Sequence, residues 1–517
     1  MTQTFENITR NVVDRFLQNI LFVDDNAYSD NKENAFDAQK ISSVFARKGK
    51  LCTVYAPHHE NDITDCISLF AKADVVVLDW YLNLETNLPE NKEADADEDD
   101  PRGKYTTNLI KAIVEEAKDE KLKLVIVYTG DGVKLKEITN KIYDNIPNNE
   151  KYTLTEEDCR IDSSNMVILV RAKYNGVDQF KHIAYLKDKV IKYEDLPDFI
   201  ISVFAKHVDG LLPNFALMAI STIRENTSRI LNVYSSELDI AYLGHKAVLP
   251  NKDDSKKLLI KLFGESITDL ISSIETDTQD WLSLWIENRF SESKTINVTD
   301  KKAISVDKDF IGRLLEEHFN DFDKYIKTQI PSLSNNDIRI IHNNSTMLFC
   351  NNADTIKMAN VLFAKLTHHK NVFLPKAECP ILTLGTVIRS IKKNEYYLCI
   401  QQNCDSLRID GERRFLFLPL VKTGGETHII INDNNFQVAK STFQLKTIRF
   451  EADKEKKCVC SKRIERTGVF EFTSIYNEKY EWVIELKELH AQRILNSYCA
   501  NLARVGIDES EWLRLLS

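Results

Sequence analysis

Four short apolar runs, rich in β-branched residues, punctuate the first third of the chain. They are Ile20-Leu21-Phe22-Val23, Val75-Val76-Val77-Leu78, Leu124-Val125-Ile126-Val127-Tyr128 and Met166-Val167-Ile168-Leu169-Val170. Runs of this length, separated by helical patterns, predict strands buried on both faces of a parallel sheet. Phe5, Ile8, Val12, Val13 and Phe16 have the spacing of an amphipathic helix leading into the first strand. From about Leu196 the period is helical, through Phe199, Ile200, Val203 and Phe204 and then Phe215, Met218, Ala219 and Ile223. Pro213 predicts a break between two helices, with Asn214 as a cap. Further helices are expected over 258–263, 267–274, 281–285 and 310–322, and a polar loop over 291–307. From about Pro380 the pattern turns to strands, over 381–388, 396–401, 415–421, 427–431, 443–450 and 469–472. Gly424-Gly425 reads as a hairpin turn, and the whole as a small barrel or sandwich. Ala491, Ile494, Leu495, Tyr498 and Leu502 predict a helix ended by Gly506, and Asp508 with Glu511 a capping box for a last turn at Trp512.

Polar residues at the ends of the first four strands carry the candidate chemistry. Asp24 and Asp25 close the first run and Asp79 the second. Thr129 closes the third, and Lys173 follows the fourth. In an open parallel sheet the carboxyl ends of the strands are where ligands bind. Three acids, a hydroxyl and an ammonium therefore gather on one edge, which suits a divalent metal and a phosphoryl group. In this order at successive strand ends they resemble the receiver domain of two-component signalling, an α/β doubly wound, flavodoxin-like fold. Gly103, ahead of the amphipathic stretch Asn108-Leu109-Ile110-Lys111-Ala112-Ile113, resembles the glycine before the third helix of receivers.

The resemblance implies that Asp79 accepts a phosphoryl group from a histidine kinase, with Thr129 and Lys173 holding the phosphoryl oxygens. It further implies that Mg²⁺ is held by Asp25 and Asp79 directly, by Asp24 through water and by the backbone carbonyl of Tyr81. Tyr81 and Asp131 fall at positions that tune hydrolysis in receivers. There are departures. The segment between Asp79 and Thr129 is long and includes an acid run from Glu90 to Asp100, which reads as a solvated loop. The segment from Thr129 to Lys173 is also long, with the turn-like Pro147-Asn148-Asn149 and the polar run 153–158. Tyr174 follows Lys173 where receivers have proline, and Val170 stands where they have an aromatic residue. The chemistry is kept while the output switch differs.

Length adds room for more than this domain. The 517 residues suggest a receiver domain over 1–195, a helical domain over 196–372 and a β-rich domain with a terminal helix over 373–517. Apolar content of 43% with 28% charged residues is ordinary for soluble globular protein. No apolar run approaches the roughly 18 residues of a membrane span, and no signal-peptide pattern opens the chain. A cytoplasmic protein without membrane contact is expected. Its ten cysteines are scattered without a disulfide-like framework, which fits reduced thiols. Cys399, Cys404, Cys458 and Cys460 lack zinc-ribbon spacing and read as buried thiols. The adjacent pairs His58-His59 and His368-His369 read as surface histidines. A net charge of −10 argues against a nucleic-acid binder, and the basic residues between Lys454 and Arg466 read as a charged hairpin edge. Arg224-Glu225-Asn226 reads as a solvent-facing stretch within the apolar helices.

The long receiver with its insertions, continuing into Gly210-Leu211-Leu212-Pro213 and Tyr242-Leu243-Gly244-His245, resembles receiver proteins of bacterial two-component-like anti-phage defence systems of the Detocs type. In such systems a kinase phosphorylates a receiver fused to a toxic enzyme, and a second receiver protein without an effector draws off phosphate. No nucleosidase, nuclease or protease signature is visible here, so the effector-less component fits better. That makes the chain a phosphoacceptor with only its own phosphorylation and dephosphorylation chemistry. The kinase and a second receiver-effector protein would be its partners, and a homodimer through the helical segment is a further hypothesis. Two alternatives stay open: an unrecognised effector in the helical and β segments, and a docking module that never takes phosphate.

Overall fold

A computed structural model describes residues 4–28, 36–85, 103–117, 122–174, 184–249, 254–272, 274–299, 302–350, 352–370, 379–425, 427–439 and 444–502. The acid run before Asp100 and the expected turn at Trp512 lie outside these residues. Two compact units divide the chain, Met1–Lys294 with Asp307–Glu317, and Thr295–Val306 with His318–Ser517. Residue 195 thus falls inside the first unit.

The first unit begins with helix α1 (Phe5–Phe16), capped by the Thr4 side chain on the Asn7 amide. There follow β1 (Asn19–Val23), α2 (Ala38–Arg47), β2 (Leu51–Tyr55), α3 (Asp62–Phe70), β3 (Val75–Leu78), α4 (Lys104–Ala117), β4 (Lys123–Thr129) and α5 (Leu135–Asn145). The short strands β5 (Thr153–Thr155) and β6 (Arg160–Asp162) precede β7 (Met166–Lys173) and β8 (Val190–Ile191). The strand order is β2-β1-β3-β4-β7-β6-β5, with β8 also on β7. The five strands β2, β1, β3, β4 and β7 are parallel and stand in the 2-1-3-4-5 order of a doubly wound sheet. The polar run at 153–158 begins with β5. It opens a hairpin whose second strand, β6, lies antiparallel on β7, so the sheet is mixed.

Alternate residues of each strand feed two cores, as the two-residue strand period requires. Ile20, Phe22, Val75, Val77, Ile126 and Leu169 meet α1, α2 and the later helices α6 (Leu196–His207) and α7 (Leu211–Glu225). Leu21, Val23, Val76, Leu78, Val127 and Val170 meet α3, α4 and α5. The break before α7 lies at Val208–Gly210 rather than at Pro213. Pro213 sits in the first turn of α7, where a missing N–H leaves no helical bond unmade. Asn214 is no cap; it is buried and its Nδ2 donates to Thr9 Oγ1 at 2.8 Å. Arg224 is exposed as expected, yet it also makes a two-pronged ion pair with the buried Asp74 and donates to the Phe16 carbonyl. Helices α8 (Thr227–Val233), α9 (Leu238–Val248), α10 (Asp254–Ser272) and α11 (Glu275–Arg289) follow.

The expected loop at 291–307 holds two paired strands, β9 (Lys294–Thr299) and β10 (Lys302–Val306). The expected helix over 310–322 is two, α12 (Lys308–Glu316) in the first unit and α13 (Phe319–Gln329) in the second, parted at Glu317. Helices α14 (Asn335–Asn343) and α15 (Ala353–His368) lead to β11 (Thr386–Ser390), β12 (Tyr396–Cys399), β13 (Glu412–Lys422), β14 (Ile429–Ile431), β15 (Asn434–Val438), β16 (Lys446–Glu451), β17 (Lys462–Arg463), β18 (Phe470–Thr473), β19 (Lys479–Glu485) and α16 (Glu488–Leu502). The strand order is β14-β15-β13-β12-β11-β19-β18-β17, with β16 on β13. Gly424-Gly425 joins β13 to β14, yet the two are not hydrogen-bonded neighbours, because β15 lies between them. The sheet curls until β16 meets the end of β18, through a bridge from Phe450 to Ser474. Phe415, Phe417, Phe450, Phe472 and Tyr480 fill one side, and α16 covers the other over Leu398, Leu418 and Ile429.

Candidate functional site

Sheet pairing continues one residue beyond the apolar runs and thereby sets the two central acids side by side. The Asp24 amide donates to the Tyr55 carbonyl at 3.1 Å, and the Asp79 amide donates to the Val23 carbonyl at 2.9 Å. Lys173 ends β7, two strands over, and its side chain crosses the edge. Its Nζ lies 2.8 Å from Asp24 Oδ2 and 2.6 Å from Asp79 Oδ1. All three side chains are largely withdrawn from solvent, with 19, 4 and 10% exposure for Lys173, Asp24 and Asp79. Thr129 is fully buried at the end of β4, and its hydroxyl accepts the Asp131 amide.

Each remaining carboxylate oxygen has a defined partner. Asp24 Oδ1 accepts the Asn26 amide, Asp79 Oδ2 the Tyr81 amide at 2.9 Å and Asp25 Oδ2 the Asn83 amide at 3.1 Å. Burial pushes the Asp79 carboxyl up to about 6, against the opposing pull of Lys173 and with the help of Asp24. Burial also raises Asp25. For Lys173, burial works against the ammonium, but Asp79 and Asp24 outweigh it and hold its pKa above the ordinary lysine value.

The loop after β3 is fixed from α4. Thr106 Oγ1 donates to the Asp79 carbonyl at 2.7 Å and to the Trp80 carbonyl. Gly103 has φ +87°, and a Cβ there would lie 2.2 Å from the Trp80 ring. Only glycine lets α4 start this close to the Asp79 loop. Tyr81 reaches across to Asp131, its hydroxyl donating to Asp131 Oδ2 at 3.0 Å.

The chemistry of the donors fits a hard divalent cation. Asp24, Asp25 and Asp79 offer only oxygen, and with Lys173 they sum to about two negative charges. Their arrangement fits less directly. Among the described residues no group of three or more His, Cys, Asp or Glu side chains is placed to hold a metal ion as it stands. The Lys173 ammonium engages one oxygen each of Asp24 and Asp79, leaving the other oxygen of each and both Asp25 oxygens outside its reach.

Residues 16–178 match the response receiver domain family. The first unit contains a receiver domain. No curated protein and no solved structure matches the chain. A phosphoacceptor role in response regulation follows from the receiver domain. No helix among the described residues is long and apolar enough to cross a membrane.

The polar residues that sequence singled out at the strand ends, Asp24, Asp25, Asp79, Thr129 and Lys173, do gather at one edge of the receiver sheet. An aromatic wall behind Lys173 was not foreseen. The ring of Phe36 lies 5.3 Å and that of Tyr128 5.9 Å from its Nζ, and Tyr193 packs on both rings. Tyr128 was visible only as the last apolar residue of its run, and nothing local marked Phe36 or Tyr193. Elsewhere, His58 and His59 are exposed as expected, whereas His368 is buried. Its ring stacks on His490 at 4.8 Å and meets His369 at 5.1 Å.

Proposed function

We propose that Asp79 is the phosphoacceptor and that a histidine kinase is the donor. An O–P bond forms at the Asp79 carboxylate as the P–N bond to the donor imidazole breaks, and the imidazole keeps the electron pair and takes up a proton. Lys173, already bonded to Asp79, supplies positive charge where the transferred oxygens gather negative charge, and the Thr129 hydroxyl supplies a further donor. Asp24, Asp25, Asp79 and the Tyr81 carbonyl would hold Mg²⁺, whose charge offsets repulsion between the acids and the incoming phosphoryl group. The observation that carries this reading is the Lys173 ammonium held between Asp24 and Asp79 at adjacent strand ends. Incubation with a small phosphodonor and Mg²⁺, followed by borohydride trapping, should mark Asp79. An unmarked Asp79 would leave a docking module.

In the cell, the reading favoured by the chain's resemblance is the effector-less receiver of an anti-phage phosphorelay, which drains phosphate from the kinase and spares a second receiver-effector protein. Asp79→Asn should then sicken cells carrying the whole system in the absence of phage. If the chain is instead the effector, the same variant leaves cells healthy but unprotected. A homodimer is supported by exposed apolar side chains on α8 to α10, among them Leu231, Ile240, Leu243, Ile260 and Phe263.

A further inference from the structure

The Cys458-Val459-Cys460 segment holds two thiols in a geometry that the receiver chemistry does not use. Cys458 bridges to Leu407 on one neighbouring segment and Cys460 to Ile381 on another. Residues two apart in extended chain share a face, so both thiols point the same way. Their Sγ atoms lie 3.7 Å apart. Cys458 is buried at 5% exposure, while Cys460 is partly open to solvent. The tight turn ahead of them is pinned by Asp453, which accepts the Glu455 and Lys456 amides, and it carries Lys454, Lys456 and Lys457.

From this arrangement we propose that Cys460 and Cys458 form a redox-reactive dithiol, with Cys460 the thiol attacked first by a hydroperoxide and Cys458 the resolving partner. The Cys460 thiolate attacks one peroxide oxygen, the O–O bond breaks, and the alcohol or water leaves with a proton from solvent. Cys460 is then a sulfenic acid. Cys458 attacks that sulfur, an S–S bond forms, the S–O bond breaks, and hydroxide leaves as water with the Cys458 proton. Two thiols are oxidised and one peroxide is reduced. An accessible thiol of low pKa beside a resolving thiol is the arrangement that favours this course. The neighbouring Cys458 thiol pulls Cys460 down to about 7, with burial opposing, Lys456 helping and Asp453 opposing, while Cys458 itself is held above the ordinary range.

Extended backbone sets the two Cα atoms roughly 6.6 Å apart, near the upper limit for a disulfide. The oxidised form is therefore strained and readily reduced, as suits a reversible modification rather than a structural link. Its formation would draw this segment away from the Leu407 and Ile381 bridges.

The test is peptide mass spectrometry on the full chain after graded tert-butyl hydroperoxide. The expected product is a peptide holding both residues that has lost two hydrogens and regains them with dithiothreitol. It should form faster than oxidation of the exposed Cys404 and Cys499, and half-maximally near pH 7. Cys458→Ser should leave a sulfenic acid on Cys460 that dimedone traps, and Cys460→Ser should abolish both products. Oxidation of the pair no faster than of Cys404, or a disulfide from Cys460 to Cys379, would overturn the proposal. The wild-type result decides this even if a serine variant folds poorly.

Discussion

Lys173→Ala and Asp79→Asn should move the stability of the receiver sheet in opposite directions. Lys173 is the ammonium in hydrogen-bond contact with two acids that are nearly closed to solvent, at 2.8 and 2.6 Å. Removing one partner of a buried ion pair costs about 3–5 kcal/mol, because the other charge stays behind. Asp79→Asn leaves Lys173 with Asp24 and removes a carboxylate that the fold disfavours. Its pKa stands at about 6 against an ordinary 3.8. At about 1.4 kcal/mol per unit, this is a strain of roughly 3 kcal/mol at pH 8, part of which returns as the lost bond to Lys173. The sign follows from linkage. A carboxyl raised in the fold contributes stability at low pH and loses it as pH rises from 3.8 through 6. Asp79→Asn should thus match the parent near pH 4.5 and exceed it by about 1–2 kcal/mol at pH 8. Lys173→Ala should fall furthest at pH 8 and recover toward pH 5, as Asp79 takes up a proton. Native-state hydrogen exchange of the β1, β3 and β4 amides, without divalent ions, reads this unit directly. Added Mg²⁺ should restore protection in Lys173→Ala more than in Asp79→Asn. Equal destabilisation by the two variants, or no pH dependence in Lys173→Ala, would refute the electrostatic argument.

Tyr81→Ala should shorten the lifetime of the aspartyl phosphate several-fold, because the Tyr81–Asp131 contact beside Asp79 is lost; an unchanged decay rate would show that this contact does not protect the phosphate. Gly103→Ala should cost roughly 2–4 kcal/mol in urea unfolding, since positive φ and the Trp80 ring both oppose a Cβ. The second unit should lose stability as pH falls from 6.5 toward 4. Burial, with His490 and His369 nearby, holds His368 at about 4, so the unfolded chain takes up the proton first. The full effect is on the order of 3 kcal/mol, and His368→Leu should flatten the slope in melts at pH 5 and 7.5. Leu243→Glu should shift a homodimer to monomer in sedimentation equilibrium if α8 to α10 form its face, and an unchanged mass would place the contact elsewhere.

The apolar runs determined by themselves where the four inner receiver strands lie and which polar residues close them. A strand buried on both faces needs an unbroken apolar run, and the residue after it must emerge at the sheet edge. That logic fails at the margins. β2 is half-exposed along Leu51–Tyr55, so it carries no such run and was not predicted. β5, β6, β9 and β10 are short and polar for the same reason, and β15 inserts beside β13 through pairing that no local signal specifies. Candidate site residues were legible because their chemistry is carried by type and order. Their electrostatics were not. The Lys173 ion pairs span 149 and 94 residues of sequence, and the Tyr81–Asp131 bond spans 50. Pairing of Arg224 with buried Asp74, burial of His368 among histidines and of Cys458 beside Cys460 likewise depend on which distant segments pack together. Sequence fixes what a side chain is able to do, and only the tertiary neighbours decide its charge, its partner and whether water reaches it.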